Sequence, residues 1–164
     1  MKKFFIQVVV LVVFILGGLY LTMNQGIWQS YLSGGEINSP AKQIKIGEAL
    51  LNIEIADTQG KRAKGFGSRD QLASDSGMLF VFDTPGQYQF WMKGMKFPLD
   101  MIFIKDGKVV DFLAEVPVPD KEMKEENLPR YQSTVPIDML LETNVGFIER
   151  NNIKMGDSIY VIAK

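Results

Sequence analysis

The chain has 164 residues, with 18 Lys and Arg against 19 Asp and Glu, and it contains neither cysteine nor histidine. The missing residue types exclude a Ser-His-Asp or Cys-His nucleophile, an imidazole base and an ordinary zinc site. Any catalysis must therefore use Asp, Glu, Lys, Tyr or Ser. Without cysteine there are also no disulfides and no lipid attachment at a processed amino terminus, so the apolar core must stabilise the fold.

Residues 4–23 form an apolar segment, and a helix of about 20 residues at about 1.5 Å each spans a bilayer core. Lys2 and Lys3 precede the segment, and no Lys or Arg follows it until Lys42. This asymmetry predicts a single-pass anchor in the cell membrane, with a cytoplasmic amino terminus and an extracytoplasmic domain. The alternative is a domain secreted after signal cleavage, but no small residues in an A-x-A-like pattern directly follow the segment.

Residues 24–41 are rich in Gly, Ser, Asn and Gln, which predicts a flexible tether. Residues 42–164 are enough for one exported domain with its own core. Beyond Lys2 and Lys3, 16 basic residues stand against 19 acidic ones, a net charge of −3. We therefore expect no nucleic-acid partner. The expected partners are the membrane, through residues 4–23, and a small polar ligand or an envelope protein.

The pattern of the exported domain is that of short strands with few helices. A hairpin is predicted across Gly47-Glu48, and a short helix is predicted from Asp57 or Thr58 to Lys64, ended by Gly65. Asp106-Gly107 between two apolar runs predicts a second hairpin. Further strands are expected at 78–82, 87–92, 139–142 and 158–162, with a turn at 83–86, a long loop at 117–133 and a short helix capped by Asn144.

These elements predict a mainly β fold, a small β-sandwich or compact barrel with one or two short helices, preceded by one transmembrane helix.

Residues 90–100 interrupt two apolar runs with aromatic, cationic and acidic residues, which predicts a site at the rim of the sheet. If residues 90–93 alternate as in a strand, Phe90 and Met92 face the core while Trp91 and Lys93 share the rim. An aromatic ring beside an ammonium suits a sugar or a carboxylate, and Asp100 would complete the site. The candidate ligand-binding residues are Arg69, Trp91, Lys93 and Asp100. The structural alternative is that Trp91 covers the core edge while Lys93 and Asp100 form a surface ion pair.

Three functions remain open at this point. The first is binding of a small polar ligand or an envelope partner at that rim. The second is an enzyme acting on envelope carbohydrate, with Asp100 as acid or base, Lys93 as electrostatic stabiliser and Glu142 as the second carboxylate that glycosidases need. The third is a structural envelope module. No cofactor is expected. The thioethers of the methionines near residues 90–100 could bind monovalent copper, but these side chains are better explained as filling the core.

A resemblance to a known family rests on residues that occur in a fixed order along the chain. In order, they are Arg62, Gly65, Arg69, Leu72, Gly77-Met78-Leu79-Phe80, Phe90-Trp91-Met92-Lys93, Pro98-Leu99-Asp100 and Gly156-Asp157. The chain resembles the prokaryotic family known as domain of unknown function 192, over residues 44–162. The resemblance implies a small β-rich, sandwich-like domain, often exported, and no known activity. Gly94 stands where members usually carry Asn, which favours a backbone role there. Cysteines that some relatives carry before the tyrosine matching Tyr131 are absent.

The charge asymmetry around residues 4–23 generates the first prediction. Protease added to intact spheroplasts should digest residues 42–164, because the domain is expected outside and still attached. Protection of the domain would contradict the orientation. A mature protein that begins after Gly35 would contradict the anchor.

Overall fold

The computed structural model describes residues 42–162. The predicted anchor and tether lie outside these residues. Within the described part of the chain, no helix has the length and apolar character needed to cross a membrane.

Seven strands make a single sheet in the order β5-β4-β6-β3-β2-β1-β7. The pairings are antiparallel except between β2 and β3, which are parallel. The strands are β1 (Lys42–Ile46), β2 (Ala49–Ala56), β3 (Ser76–Gly86), β4 (Leu99–Lys105), β5 (Lys108–Val116), β6 (Ile137–Asn144) and β7 (Ile159–Ile162).

The sheet curls until its two edge strands approach each other. The amide of Ile159 donates to the Gly107 carbonyl at 2.9 Å, and the amide of Val109 donates to the Asp157 carbonyl at 2.9 Å. Backbone pairing of both edges reduces the exposed edge that a flat sheet would leave. The fold is thus mainly β, as predicted, and of the two predicted architectures it is nearer to the barrel: a curled half-barrel with two short helices.

The parallel pair β2 and β3 is connected by the short helix α1 (Gln59–Lys64), as the sequence predicts. Thr58 caps its start by accepting a hydrogen bond from the Lys61 amide at 3.3 Å. Gly65 ends it with a positive φ of 45°, a conformation that glycine adopts without strain. A crossover of this kind is needed because parallel strands cannot be joined by a tight turn.

Both predicted hairpins are present. Gly47, with φ of 55°, joins β1 to β2. Asp106 and Gly107, with φ of 50° and 72°, join β4 to β5 as the mirror-image turn that matches the twist of paired strands.

Two predictions around residues 83–92 are wrong. Residues 83–86 continue β3 past a shift in its register with β6, and do not form a separate turn. Residues 87–98 lie outside any strand, and only one bridge, between Phe90 and Tyr131, pairs them with another segment. The apolar alternation that predicted a strand instead reflects contacts of single side chains with the core.

The second helix, α2 (Phe147–Arg150), is present where a short helix was predicted, but Asn144 does not cap it. Gly146 precedes the helix, while the side-chain Nδ2 of Asn144 donates to the Ala73 carbonyl at 2.7 Å. Asn144 therefore fixes the loop before β3.

Side chains alternate between the two faces of the sheet, and each face has its own apolar cluster. The first, which we call the α2 face, includes Ile44, Ile46, Leu79, Ile102, Ile104, Leu141, Phe147 and Ile148. The second, which we call the loop face because segments 65–67 and 87–98 cover it, includes Phe66, Met78, Phe80, Met92, Met101, Phe103 and Leu140.

Asp100 is fully buried on the α2 face and binds two backbone amides. Its Oδ1 accepts from the Glu115 amide at 2.9 Å, and its Oδ2 accepts from the Ile148 amide at 2.9 Å. Glu115 has a φ of 56° and lies where β5 has extra residues opposite β4, so it forms a β-bulge. The Asp100 carboxylate therefore holds a strained bulge and the start of α2 together.

Replacing Asp100 tests this role. Asp100→Ala should lower the free energy of unfolding by about 2 to 6 kcal/mol, because two amides lose their acceptor and each such loss costs about 1 to 3 kcal/mol. Urea titration followed by circular dichroism measures the change. Glu48→Ala, which removes an exposed carboxylate paired only with Lys45, is the matched control and should leave the midpoint nearly unchanged. Equal losses for both variants would contradict the role assigned to Asp100.

Candidate functional site

A cavity of about 410 Å³ lies on the loop face of the sheet. Its walls are α1 with the turn that follows it, and the segment around Trp91. Its floor is formed by β3 and β6. The lining residues are Gln59, Arg62, Ala63, Lys64, Gly65, Phe66, Gly67, Phe80, Gln89, Phe90, Trp91, Met92, Lys93, Met95, Arg130 and Glu142.

The inner part of the cavity is apolar and aromatic. Phe80 from β3 and Phe90 pack edge to face with their ring centroids 6.2 Å apart, and Phe66 and Met92 are nearly fully buried beside them. Edge-to-face aromatic packing fixes ring positions, so this wall is preformed. Such a wall suits the apolar face of a sugar ring or another organic ligand.

Glu142 lies in the middle of β6 among apolar neighbours. Its register partners are Met78 on β3 and Met101 on β4, and only 7% of the residue is exposed. The side chain has no hydrogen-bond or ion-pair partner among residues 42–162. Burial raises the pKa of the Glu142 carboxyl to about 8, because the charged form loses its hydration. The group is therefore mostly protonated at pH 7.

Four cationic residues line the cavity: Arg62, Lys64, Lys93 and Arg130. The Arg130 guanidinium lies over the Trp91 ring, 3.9 Å from its centroid, and the Lys93 ammonium lies 5.2 Å from the same centroid. Trp91 is 37% exposed, so these three residues form the mouth of the cavity. Among the described residues of the lining, Glu142 is the only one with a carboxyl, so the net charge of these residues is positive.

The cations of the lining differ in how much of their hydrogen-bonding capacity the protein already uses. Lys93 forms an ion pair with Glu125 at 2.5 Å, and Arg62 donates to the Val81 carbonyl at 2.8 Å. Arg130 has no hydrogen bond or ion pair within residues 42–162, and its contact is the face of the indole. Its donors therefore remain available to a ligand.

Two glycines allow the cavity walls to meet. A Cβ on Gly67 would lie 3.1 Å from the Lys93 carbonyl oxygen, and a Cβ on Gly94 would lie 3.1 Å from the Gly67 carbonyl oxygen. Gly94 also has a φ of 69°, which side chains disfavour. The close backbone approach of the two loops gives Gly94 the backbone role expected from the sequence.

Of the four candidate residues, Trp91 and Lys93 line the cavity, and Arg69 and Asp100 do not. Arg69 forms a bidentate pair with Glu54, both contacts at 2.6 Å, and lies over the Phe66 ring. Asp100 is not at the rim, because alternation along β4 directs it to the α2 face. The surface ion pair between Lys93 and Asp100, which was the structural alternative to a ligand site, is therefore absent, and Lys93 pairs with Glu125 instead. The predicted facing of Phe90 and Met92 inward, and of Trp91 and Lys93 outward, is confirmed.

The geometry also contradicts the pairing of Asp100 with Glu142 as two catalytic carboxylates. In the β4–β6 register, Asp100 lies opposite Thr143 and Met101 lies opposite Glu142. Neighbouring positions point to opposite faces, so the two carboxyl groups are on different sides of the sheet. A glycosidase needs both groups in one cleft.

Five polar residues of the cavity lining were missed as site residues: Gln59, Arg62, Lys64, Gln89 and Arg130. The sequence signalled Glu142 most clearly, since an acid follows Met139-Leu140-Leu141 inside an apolar strand. No signal in the sequence marks Arg130, because it is the course of residues 117–136, the loop between β5 and β6, that brings Arg130 to Trp91.

The chain belongs to the family described as "Uncharacterized ACR", domain of unknown function 192, whose family model matches residues 42–161. This confirms the resemblance seen in the sequence. No curated protein matches the chain.

Two solved structures have the same fold. A protein of unknown function from Novosphingobium aromaticivorans DSM 12444 is 28% identical, with a TM-score of 0.65, over 72% of this chain and 83% of that one. A protein from Sinorhizobium meliloti 1021, provisionally named a transcription regulator, is 28% identical, with a TM-score of 0.68, over 77% of this chain and 98% of that one.

The raised pKa of Glu142 predicts a pH-dependent stability. In the unfolded chain this carboxyl ionises near 4.5, and in the folded protein near 8, so the folded state binds the extra proton between these values. The stability that this carboxyl contributes is fully present below pH 4.5 and is lost as pH rises to about 8. Within this range, the free energy of unfolding falls by up to about 1.4 kcal/mol per pH unit.

Glu142→Gln removes this titration. As pH rises from 5 to 8, the unfolding free energy of the wild type should therefore fall relative to that of the variant. Urea titrations at several pH values measure it. A difference that does not depend on pH would show that Glu142 is ionised in the folded protein.

Proposed function

We propose that this protein is a membrane-tethered extracytoplasmic domain that binds a small organic carboxylate, sugar acids included, in the cavity on the loop face. The observation that carries the proposal is the charge of the lining: four cationic side chains stand against one carboxyl, which is mostly protonated at pH 7. A carboxylate entering this site gains charge-assisted hydrogen bonds.

Arg130 is the main candidate to hold the ligand carboxylate. Lys93 is partly neutralised by Glu125, and Arg62 already donates to a carbonyl. Arg130 keeps its planar set of donors, and its stacking on Trp91 restricts its orientation. A pre-oriented guanidinium loses less conformational freedom when it binds a carboxylate.

The rest of the cavity supports an organic ligand rather than an inorganic anion. The aromatic wall of Phe66, Phe80 and Phe90 offers apolar contact, and the volume of about 410 Å³ lies within the range of about 300 to 1,000 Å³ typical of small-molecule sites. A bare phosphate or sulfate would leave this wall uncovered.

The location in the proposal rests on the sequence. The apolar segment 4–23 preceded by Lys2 and Lys3 favours a tether whose domain lies outside the cytoplasm. In that setting the ligand is a carboxylate present in or passing through the cell envelope.

Trp91 provides the readout for the binding test. The full chain carrying Trp28→Phe, solubilised in mild detergent, has Trp91 as its only tryptophan. Titration with benzoate, D-gluconate and D-glucuronate should shift its emission, because the ligand binds beside Arg130 and the indole. Adding Arg130→Ala should weaken the affinity by about tenfold or more, as expected for loss of a charge-assisted hydrogen bond.

Lys121→Ala is the matched control, since it removes an exposed cation of the same loop that does not line the cavity. It should leave the affinity unchanged. No response to any of the three carboxylates, or equal weakening by Arg130→Ala and Lys121→Ala, would overturn the proposed site.

A further inference from the structure

Glu142 is buried in the cavity lining, and the proposed binding of a ligand carboxylate by Arg130 gives it no role. It lines the cavity, 7% of the residue is exposed, and it has no hydrogen-bond or ion-pair partner within the described residues. A buried carboxyl without a partner lowers stability, whereas a methionine like its neighbours Met78 and Met101 would fill the same place at no such cost. Its donor capacity is therefore available only to something that enters the cavity.

We propose that Glu142 is a neutral hydrogen-bond donor at the cavity floor that selects carboxylate ligands carrying a hydroxyl or another uncharged oxygen away from the carboxylate. This inference rests on the proposed function, because the ligand carboxylate is held at the mouth by Arg130. The ligand class that fits both ends is the polyhydroxy carboxylates, to which sugar acids belong.

The surroundings of Glu142 support the neutral form. The strands on either side contribute the thioethers of Met78 and Met101, which offer no charge. The charged groups on the other facing elements are Arg62 and Lys64 of α1, Lys93 beside Trp91, and Arg130. None of them forms an ion pair with Glu142, and burial alone raises the pKa of its carboxyl. A carboxylic acid kept neutral in an apolar site donates its proton in a hydrogen bond.

The opposite arrangement makes a distinct prediction. If Glu142 instead waited for a cationic ligand group, an ammonium at the floor would stabilise its ionised form. Amino acids and amino sugars would then be preferred, and binding would strengthen as pH rises. A pair of ligands that differ by one group at the end away from the carboxylate separates the two cases: D-gluconate carries a hydroxyl on C6 where 6-amino-6-deoxy-D-gluconate carries an ammonium.

The experiment uses the full chain with Trp28→Phe and follows Trp91 emission with both ligands between pH 6 and pH 9.5. D-Gluconate should bind more tightly than 6-amino-6-deoxy-D-gluconate at pH 7. Its affinity should be constant up to about pH 8 and then fall by up to about tenfold per pH unit, because the donor form disappears.

Two variants assign this pH dependence to Glu142. Glu142→Gln keeps a donor of the same shape, so it should bind D-gluconate at pH 7 and lose the fall above pH 8. Glu142→Met removes the donor while filling the space, so it should weaken D-gluconate by about tenfold and leave benzoate unaffected. The thermal unfolding midpoint of each variant checks that it is folded.

The outcomes distinguish the two proposals. Benzoate binding with no preference for D-gluconate, or equal affinities of Glu142→Gln and Glu142→Met for D-gluconate, overturns the role of Glu142 and leaves the carboxylate site standing. Tighter binding of 6-amino-6-deoxy-D-gluconate, or an affinity that rises with pH in the wild type but not in Glu142→Gln, also overturns the neutral-donor role. Failure of all carboxylates overturns both proposals.

Discussion

The alternation of side chains across β4 and β6 is the constraint on which the rest of the structure depends. Because Asp100 lies opposite Thr143 while Met101 lies opposite Glu142, the two acids of the sheet interior are sent to opposite faces. On one face Asp100 is satisfied by two backbone amides and fixes a bulge and a helix start. On the other, Glu142 has no such donors and faces a cavity. A shift of β6 by one residue would turn Glu142 to the α2 face, the same face as Asp100.

The two acids show why burial alone does not identify a functional group. Asp100 is more deeply buried than Glu142, yet its oxygens are both used, so its burial is explained by the fold. Glu142 costs stability without returning a contact, since an unpaired buried polar group is destabilising by about 1 to 3 kcal/mol. Proteins tolerate such a cost mainly where function requires it. The informative property is the unmet hydrogen-bonding capacity of a buried side chain beside a space that a ligand can fill.

The parts of the fold that local chemistry determines were predictable from the sequence. Both hairpin turns, the Thr58 cap and the Gly65 stop follow from residues within a few positions of one another. The course of residues 87–98 was not predictable, because their apolar side chains contact the core one at a time and their backbone does not pair as a strand. The site was half predictable for the same reason. Trp91 and Lys93 are adjacent in a conspicuous motif, whereas Arg62, Arg130 and Glu142 join them only through the β2–α1–β3 crossover, a long loop and the register of β6.

The mouth and the floor of the cavity have different physical properties, and these suggest a division of roles. The mouth is partly exposed, and its cations stack on one indole, so solvent and salt weaken its attraction for anions. A carboxylate held there would be bound with little discrimination. The floor offers the Glu142 carboxyl between Met78 and Met101, so in the proposed complex an incoming oxygen would replace its hydration with one well-placed hydrogen bond. A ligand lacking that oxygen would leave a polar group unpaired. Attraction is thus assigned to Arg130 and its neighbours, and selectivity to Glu142.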